Sequence, residues 1–347
     1  MNLNLLSKFY ERLQDEESRK LFSVKWEMLF GNKKYSDFMN TLLELDCKWN
    51  ISQYDDFREN VSDKKLVIFG AGTDGKMTYD ILIKNGISVY AFCDNDGAKW
   101  GKDFCGRIVL PPAEVKKQGE EYYVVIASHN HAGELLYDLT SDYFPRENIW
   151  FPRLGTVYAT TGVQYFDCPE LNPIGAEEVF IDAGCFDADT SRQFAKWCNG
   201  EYKRILGFEP SESNYKRCLE NNNLDHFELL PYATWNKKDT LYFSNRGSGS
   251  RISDAGEITL DTESIDNALG GERATFIKLD VEGAELETLK GAERTIKEYK
   301  PRLAISIYHK PSDIYEIPEL LMEYRSDYKF YIRHYTSYVW ETVLYAI

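Results

Sequence analysis

Val179-Phe180-Ile181-Asp182-Ala183-Gly184-Cys185-Phe186-Asp187-Ala188-Asp189-Thr190 runs from four apolar-to-acidic residues through a glycine into a small, polar entry to helix-like sequence. That order predicts a buried parallel strand, a tight turn and a helix N-terminus, the arrangement that lets a ligand approach the main chain at a strand's carboxyl end. A second acidic strand end follows 27 residues after Asp182, in Ile205-Leu206-Gly207-Phe208-Glu209-Pro210. Together the two ends read as a nucleoside-cofactor cleft.

Working outward, further buried strands are expected at 227–233, 275–280 and 302–308, each followed by turn or helical sequence. The chain closes with two strand-like runs, Lys329 to Tyr335 and Val339 to Tyr345, joined by a short turn. A terminal hairpin of this kind puts one antiparallel strand into an otherwise parallel sheet. Between 240 and 265 the sequence is glycine- and serine-rich, with short strands at Leu241-Tyr242-Phe243 and Ile258-Thr259-Leu260.

Three blocks carry a family resemblance: Asp182 to Thr190, Gly207-Phe208-Glu209-Pro210-Ser211, and Phe276-Ile277-Lys278-Leu279-Asp280-Val281-Glu282-Gly283-Ala284-Glu285-Leu286-Glu287-Thr288-Leu289-Lys290-Gly291-Ala292. In this order they resemble the FkbM-type methyltransferases, which use S-adenosylmethionine. The likeness extends to Ser306-Ile307-Tyr308-His309-Lys310 and Glu341-Thr342-Val343-Leu344-Tyr345. It implies an α/β fold: a C-terminal Rossmann-like class I methyltransferase sheet over 177–347 with a terminal antiparallel hairpin. Ala188 stands where the family commonly has glycine, which matters only if that position needs positive φ.

The resemblance and the residue chemistry give the same assignments. Gly184 lets the methionine part of the cofactor lie against the backbone, and Asp182 holds its ammonium group directly or through water. Glu209 accepts the ribose hydroxyls, and Tyr232, Ala233 and Thr234 border the adenine. Cys185, Phe186, Thr190 and Pro210 complete the cofactor loops. Asp280 closes its strand beside the first one and faces the methionine end. Lys278 points to the same face and needs a carboxylate, Asp182 or Asp280, as a structural partner. For catalysis the expected residues are His309 as general base with Asp280 and Glu282; His334 is a weaker candidate for the acceptor pocket. Asp280 with Glu282 is also a carboxylate pair that can bind a divalent ion, but nothing in the spacing forces one and no metal is assigned.

Upstream, Gly70-Ala71-Gly72-Thr73-Asp74-Gly75 lies between a strand at 66–69 and a helix at 76–85, with Asp94 placed 19 residues past Gly75. Gly70, Gly72, Gly75 and Asp94 fit a dinucleotide fingerprint, which taken literally means NAD. Further strands at 89–93 and 123–127, the latter ending at Ser128-His129-Asn130 before a helix through Leu139, predict a smaller parallel α/β domain over 62–150. With Ala91 to Asp96 and Gly106 to Pro111, it resembles the small Rossmann-like domain that precedes sugar acyltransferases and related glycan enzymes, where it holds a nucleotide-sugar. Glycine also serves simply as a tight-turn residue there.

Residues 1–61 show helical apolar spacing and form a helical N-terminal segment, whose apolar faces need either the rest of the chain or a second subunit. Residues 151–176, with Pro152, Pro169 and Pro173, read as a linker or covering loop. A net charge of −15 disfavours nucleic acid, no apolar run reaches membrane-span length, and the seven scattered cysteines form no CxxC pair. A reducing cytoplasm is the economical location. The sequence therefore reads as an S-adenosylmethionine-dependent O-methyltransferase of a sugar, nucleotide-sugar or glycan precursor. The rival is a non-catalytic nucleotide-binding scaffold in glycan assembly, and a redox enzyme is a third alternative.

Overall fold

The structure, a computed structural model, describes residues 3–34, 37–38, 41–42, 45, 61, 63–84, 86–127, 135, 139, 144–150, 163–221, 223–244, 251–252, 258–336 and 339–347. The expected Ser128-His129-Asn130 strand end, most of the helix after it, residues 151–162 and the glycine-serine stretches at 245–250 and 253–257 lie outside these. The chain divides into two compact units, one made of 1–38, 162–334 and 339–347 and the other of 39–161 with 335–338.

The first unit begins with helices α1 (Leu3–Arg12) and α2 (Glu16–Phe30). Asp15 caps α2, its carboxylate accepting the Ser18 N–H at 2.9 Å. The apolar faces of these helices are covered by the same unit: Phe9 packs edge-on against Phe22 and Phe330 at 5.4 and 5.3 Å. Ser18 accepts the Ile332 N–H, and Arg333 pairs with Asp15. For residues 3–30 the chain itself supplies the partner that their hydrophobic pattern required.

The second unit holds β1 (Lys65–Phe69), α3 (Thr73–Lys84), β2 (Ala91–Cys93), β3 (Asp103–Phe104), β4 (Arg107–Leu110), α4 (Pro112–Lys117), β5 (Tyr122–Ile126) and β6 (Ile149–Trp150). The strands form one sheet in the order β3-β4-β2-β1-β5-β6, parallel except for the β3–β4 hairpin. The central strands β1, β2 and β5 are almost entirely buried, as strands covered on both faces must be.

The main sheet of the first unit comprises β7 (Val179–Ala183), β8 (Arg204–Phe208), β9 (Phe227–Leu230), β14 (Phe276–Leu279), β15 (Arg302–Ser306), β16 (Phe330–His334) and β17 (Thr342–Ala346). Helices α5 (Asp189–Trp197) and α6 (Glu212–Asn221) connect the first three strands. The order is β16-β17-β15-β14-β7-β8-β9, with β17 antiparallel to both neighbours. Chain progression reverses between β7 and β14, so their carboxyl ends flank the crevice where open α/β sheets bind ligands. This is the expected class I arrangement.

One expectation about extent is corrected. The strand expected at 227–233 ends at Leu230, because Pro231 follows and Ala233–Thr234 (β10) joins a separate four-stranded sheet with β11 (Asp239–Ser244), β12 (Arg251–Ile252) and β13 (Ile258–Glu263). The expected linker over 151–176 also contains residues packed on the main sheet. Phe166 sits in an aromatic core with Phe180, Phe194, Trp197 and Phe276, where Phe180 and Phe194 stack at 4.2 Å. Burying one such ring contributes about 1.5–3 kcal/mol, which ties the segment down despite its lack of periodicity. Helices α7 (Ile265–Leu269), α8 (Glu285–Lys290), α9 (Glu293–Tyr299) and α10 (Asp313–Tyr324) complete this unit.

Candidate active site

The crevice is floored by a buried ion pair. Asp182, at the end of β7, is wholly buried; Ser191 Oγ donates to its Oδ2 at 2.7 Å and Lys278 Nζ lies 3.1 Å from its Oδ1. Register puts Lys278 directly beside Asp182 on β14. The same ammonium donates to the Gly184 carbonyl at 2.8 Å and the Ala183 carbonyl at 3.2 Å. Burial works against its charge, but Asp182 and Asp280 outweigh it and hold the Lys278 pKa above the usual lysine value. The sequence expectation of a structural Lys278 partner is met by Asp182. Direct contact between Asp182 and a cofactor ammonium is not available, since no part of Asp182 reaches the surface and both oxygens face protein cations or hydroxyls.

Gly184 has a more specific reason than cofactor clearance. It sits at φ +77°, and a Cβ there would lie 1.9 Å from the Asp280 carbonyl oxygen, so the ends of β7 and β14 meet only over a bare backbone. The turn that follows is strained. Phe186 (φ 54°) and Ala188 (φ 64°) both adopt left-handed conformations, which for non-glycine residues cluster at functional sites. Position 188 therefore does need positive φ, and this chain fills it with a buried alanine.

Around this turn the other cofactor candidates take distinct places. Cys185 is buried beneath it, its Sγ 3.5 Å from Cys218, so it can serve a ligand only through its main chain. Phe186 is 53% exposed with Arg217 over its ring at 5.1 Å, presenting an aromatic face at the crevice edge. Thr190 is half-buried in the first turn of α5; its neighbour Ser191 is the residue that reaches Asp182. Glu209 follows β8 and is nearly buried: Oε2 accepts the Phe186 N–H at 3.0 Å, and Oε1 accepts the Ser211 N–H at 2.9 Å. Burial raises its pKa against those donors. With Asn214 also on Oε1, the open lone pair is on Oε2, which leaves room for one ribose hydroxyl rather than two. Pro210 is half-buried after it, and Tyr232 and Ala233 are half-buried at the β9–β10 bend.

At the far side of the crevice Asp280 is the hub. Tyr165 donates to its Oδ2 at 3.0 Å and Tyr308 to its Oδ1 at 3.1 Å. Tyr308 also reaches Glu341, which Gln164 holds from the other side at 2.6 Å. Burial beside these carboxylates pushes both phenols up, so they remain donors. His309 Nδ1 lies 2.8 Å from Glu285 Oε1, while Nε2 lies 3.6 Å from both Asp280 Oδ1 and Glu282 Oε2. Burial opposes its charge, yet Glu285, Asp280 and Glu282 outweigh it and raise the pKa to about 9. The surrounding carboxylates thus favour the protonated form of the imidazole, which stands with Asp280 and Glu282 at the end of the crevice expected for the acceptor.

Glu282 is held at φ 53°, and Glu285 Oε1 also accepts the Val281 N–H at 3.0 Å. Asp280, Glu285 and His309 each offer one ligand atom within 4.8 Å of the others, a separation that a metal ion can span. His334 does not join this end: it is buried between β16 and β17, bonded to Thr342 and edge-on to Phe38 at 4.8 Å. Tyr165, Gln164, Glu285, Tyr308 and Glu341 were not assigned from sequence. Glu285 alone carried a signal, a carboxylate four residues after Val281 at the head of a helix.

In the second unit, Gly70 and Gly75 are forced by close packing: a Cβ would meet the Ala127 carbonyl at 2.3 Å or the Gly70 carbonyl at 1.8 Å. Gly72 faces open space. Asp94 accepts the Ala71 and Asp96 N–H groups, each at 2.8 Å, and pairs with Lys99. Its pKa, raised by burial, is brought below the usual value by these partners.

S-adenosylmethionine fits the first-unit crevice by its donor set. The N–H groups of residues 184–186 are taken by the Phe208 carbonyl and Glu209, so the turn offers its carbonyl oxygens, Glu209 keeps an acceptor site for a ribose hydroxyl, and the acidic rim suits a sulfonium cation. When bound, the cofactor supplies an electrophilic methyl group.

The comparisons with known proteins point the same way. Residues 174–330 match the family of the methyltransferase FkbM domain, and residues 62–142 match the C2185-like N-terminal family. No curated protein matches the chain. It is similar to a crystal structure of methyltransferase FkbM from Methylobacillus flagellatus KT, with 18% identity, 90% of this chain and 99% of that one covered, and a TM-score of 0.47. An rRNA methylase from Streptococcus thermophilus shares 15% identity over 50% of this chain and 86% of that one, with a TM-score of 0.33. A SAM-dependent methyltransferase from Aquifex aeolicus shares 15% over 50% and 84%, with a TM-score of 0.29. Residues 174–330 carry a methyltransferase FkbM domain, and the chain is a methyltransferase that uses S-adenosylmethionine.

Proposed function

We propose that the chain transfers the methyl group to a hydroxyl of a sugar, nucleotide-sugar or glycan precursor. The supporting observation is the chemistry of the crevice beyond the cofactor turn. Asp280, Glu282, Glu341, Tyr308 and His309 present charged and phenolic hydrogen-bonding groups there. Such a wall pairs with the many donors and acceptors of a polyol and leaves buried polar groups unpaired against an apolar acceptor. Methyl transfer is an in-line displacement, so the residues' main task is to align the acceptor oxygen and exclude water. In this reading the cluster of Asp280, Glu282 and His309 receives the acceptor hydroxyl and takes up its proton as the methyl group leaves the sulfonium.

Among the described residues of the second unit, Gly72 leaves open backbone for the phosphate of a nucleotide-sugar. The six described cysteines are free thiols, which suits a reducing cytoplasm. No helix among the described residues is long and apolar enough to cross a membrane.

Incubation with methyl-labelled S-adenosylmethionine and a panel of sugars and UDP- and dTDP-sugars tests the proposal. Label on a sugar oxygen, located by NMR, is the expected result. Label found only on amine acceptors would refute it, and cofactor binding without transfer to any acceptor would favour the scaffold reading. Glu209→Ala should weaken cofactor binding ~10-fold or more, since it removes the carboxylate that also anchors the Phe186 turn.

A further inference from the structure

Glu285 is the least explained carboxylate of this unit. Its side chain is fully buried; Oε1 is shared between the Val281 N–H and His309, but Oε2 is buried with no hydrogen-bond partner. An orphaned buried acceptor costs roughly 1–3 kcal/mol, and a charged one more. The residue stands beside two further acids, Asp280 and Glu282, gathered round the same imidazole. Glu282 reaches it from a left-handed backbone conformation that a non-glycine residue rarely adopts.

We propose that a divalent cation binds among Asp280, Glu285 and His309, with Glu282 closing the site toward solvent. One ligand atom from each of the first three already lies within 4.8 Å of the others. The Glu282 side chain is 86% exposed, and its Oε2 stands 3.6 Å from Nε2 and can swing inward. Donors of this kind, oxygen-rich with one imidazole and no thiolate, select Mn2+ or Mg2+ over softer ions. Tyr165 and Tyr308 hold Asp280 from behind, as outer hydrogen bonds hold the ligands of a metal site. The inference rests on reading this end of the crevice as the acceptor end: the cation would draw the acceptor oxygen to the cluster and balance its negative charge.

The test is direct binding by the full chain without cofactor or acceptor. Mn2+ is titrated in and the free ion followed by electron paramagnetic resonance. Saturable binding of one Mn2+ per chain is expected, weakened ~10–100-fold by Asp280→Asn and by Glu285→Gln. Glu282→Gln, a change at an exposed side chain, serves where a buried variant fails to fold, and it should weaken binding too. No saturable binding, or binding that all soluble variants retain unchanged, overturns the inference. Sugar methylation by protein that binds no Mn2+ removes the cation and leaves the proposed function standing. Mn2+ binding without methyl transfer to any hydroxyl does the reverse.

Discussion

Replacing Lys278 by methionine tests the floor of the crevice. The side chain is 2% exposed and its ammonium meets Asp182 Oδ1, the Gly184 carbonyl and the Ala183 carbonyl within 3.2 Å. Methionine fills similar volume but leaves Asp182 buried with only the Ser191 hydroxyl for company. Breaking a buried pair by removing one partner costs about 3–5 kcal/mol, a third or more of the stability of many domains. The double variant Lys278→Met, Asp182→Asn removes both charges, so most of that loss should return. Cofactor affinity should not return with it, because the carbonyls of the turn still lack their donor. Urea unfolding of the first unit gives the stabilities, and calorimetry with S-adenosylmethionine gives the affinities. A single variant within about 1 kcal/mol of the parent would refute the reasoning, as would a double variant as unstable as the single one.

Two more outcomes follow from individual residues. Lys25, buried in α2 with its ammonium on the Val339 carbonyl, is pushed down by burial to about 7. The unfolded chain holds that proton more tightly from pH 7 to the ordinary lysine value, so folding stability rises with pH across this window and the penalty is constant below it. Relative to Lys25→Met, the parent should gain roughly 3 kcal/mol between pH 7 and 10; parallel curves would contradict the burial. Gly184→Ala should cost at least about 2 kcal/mol and abolish cofactor binding, whereas Gly72→Ala, which meets nothing within 4 Å, should leave stability nearly unchanged. Thermal unfolding of the two variants decides it.

The architecture was legible where period and strand ends carry it. Asp182, Glu209 and Asp280 mark the strand ends because buried apolar runs stop at them, and Lys278 announced its partner because a mid-strand lysine cannot stay alone. What stayed hidden was made by tertiary contact. Tyr165 and Phe166 lie in a stretch without periodicity, and nothing local shows that one reaches Asp280 and the other the aromatic core. His309 was found, but its setting was not, since three carboxylates reach it from one loop and one helix. His334 looked similar in sequence and proved a core residue, because its strand is covered by Phe38.

The union of α1 and α2 with β16 has a consequence for how the polypeptide is made. Ser18 and Ile332 bond across 314 positions of sequence. During synthesis the opening helices must wait, unsatisfied, until nearly the whole chain has left the ribosome, while the unit between them has its β1–β6 segments in hand much earlier. Ribosome-bound nascent chains halted before residue 330 should therefore leave α1 and α2 open to protease, whereas chains that carry β16 clear of the ribosome should protect them.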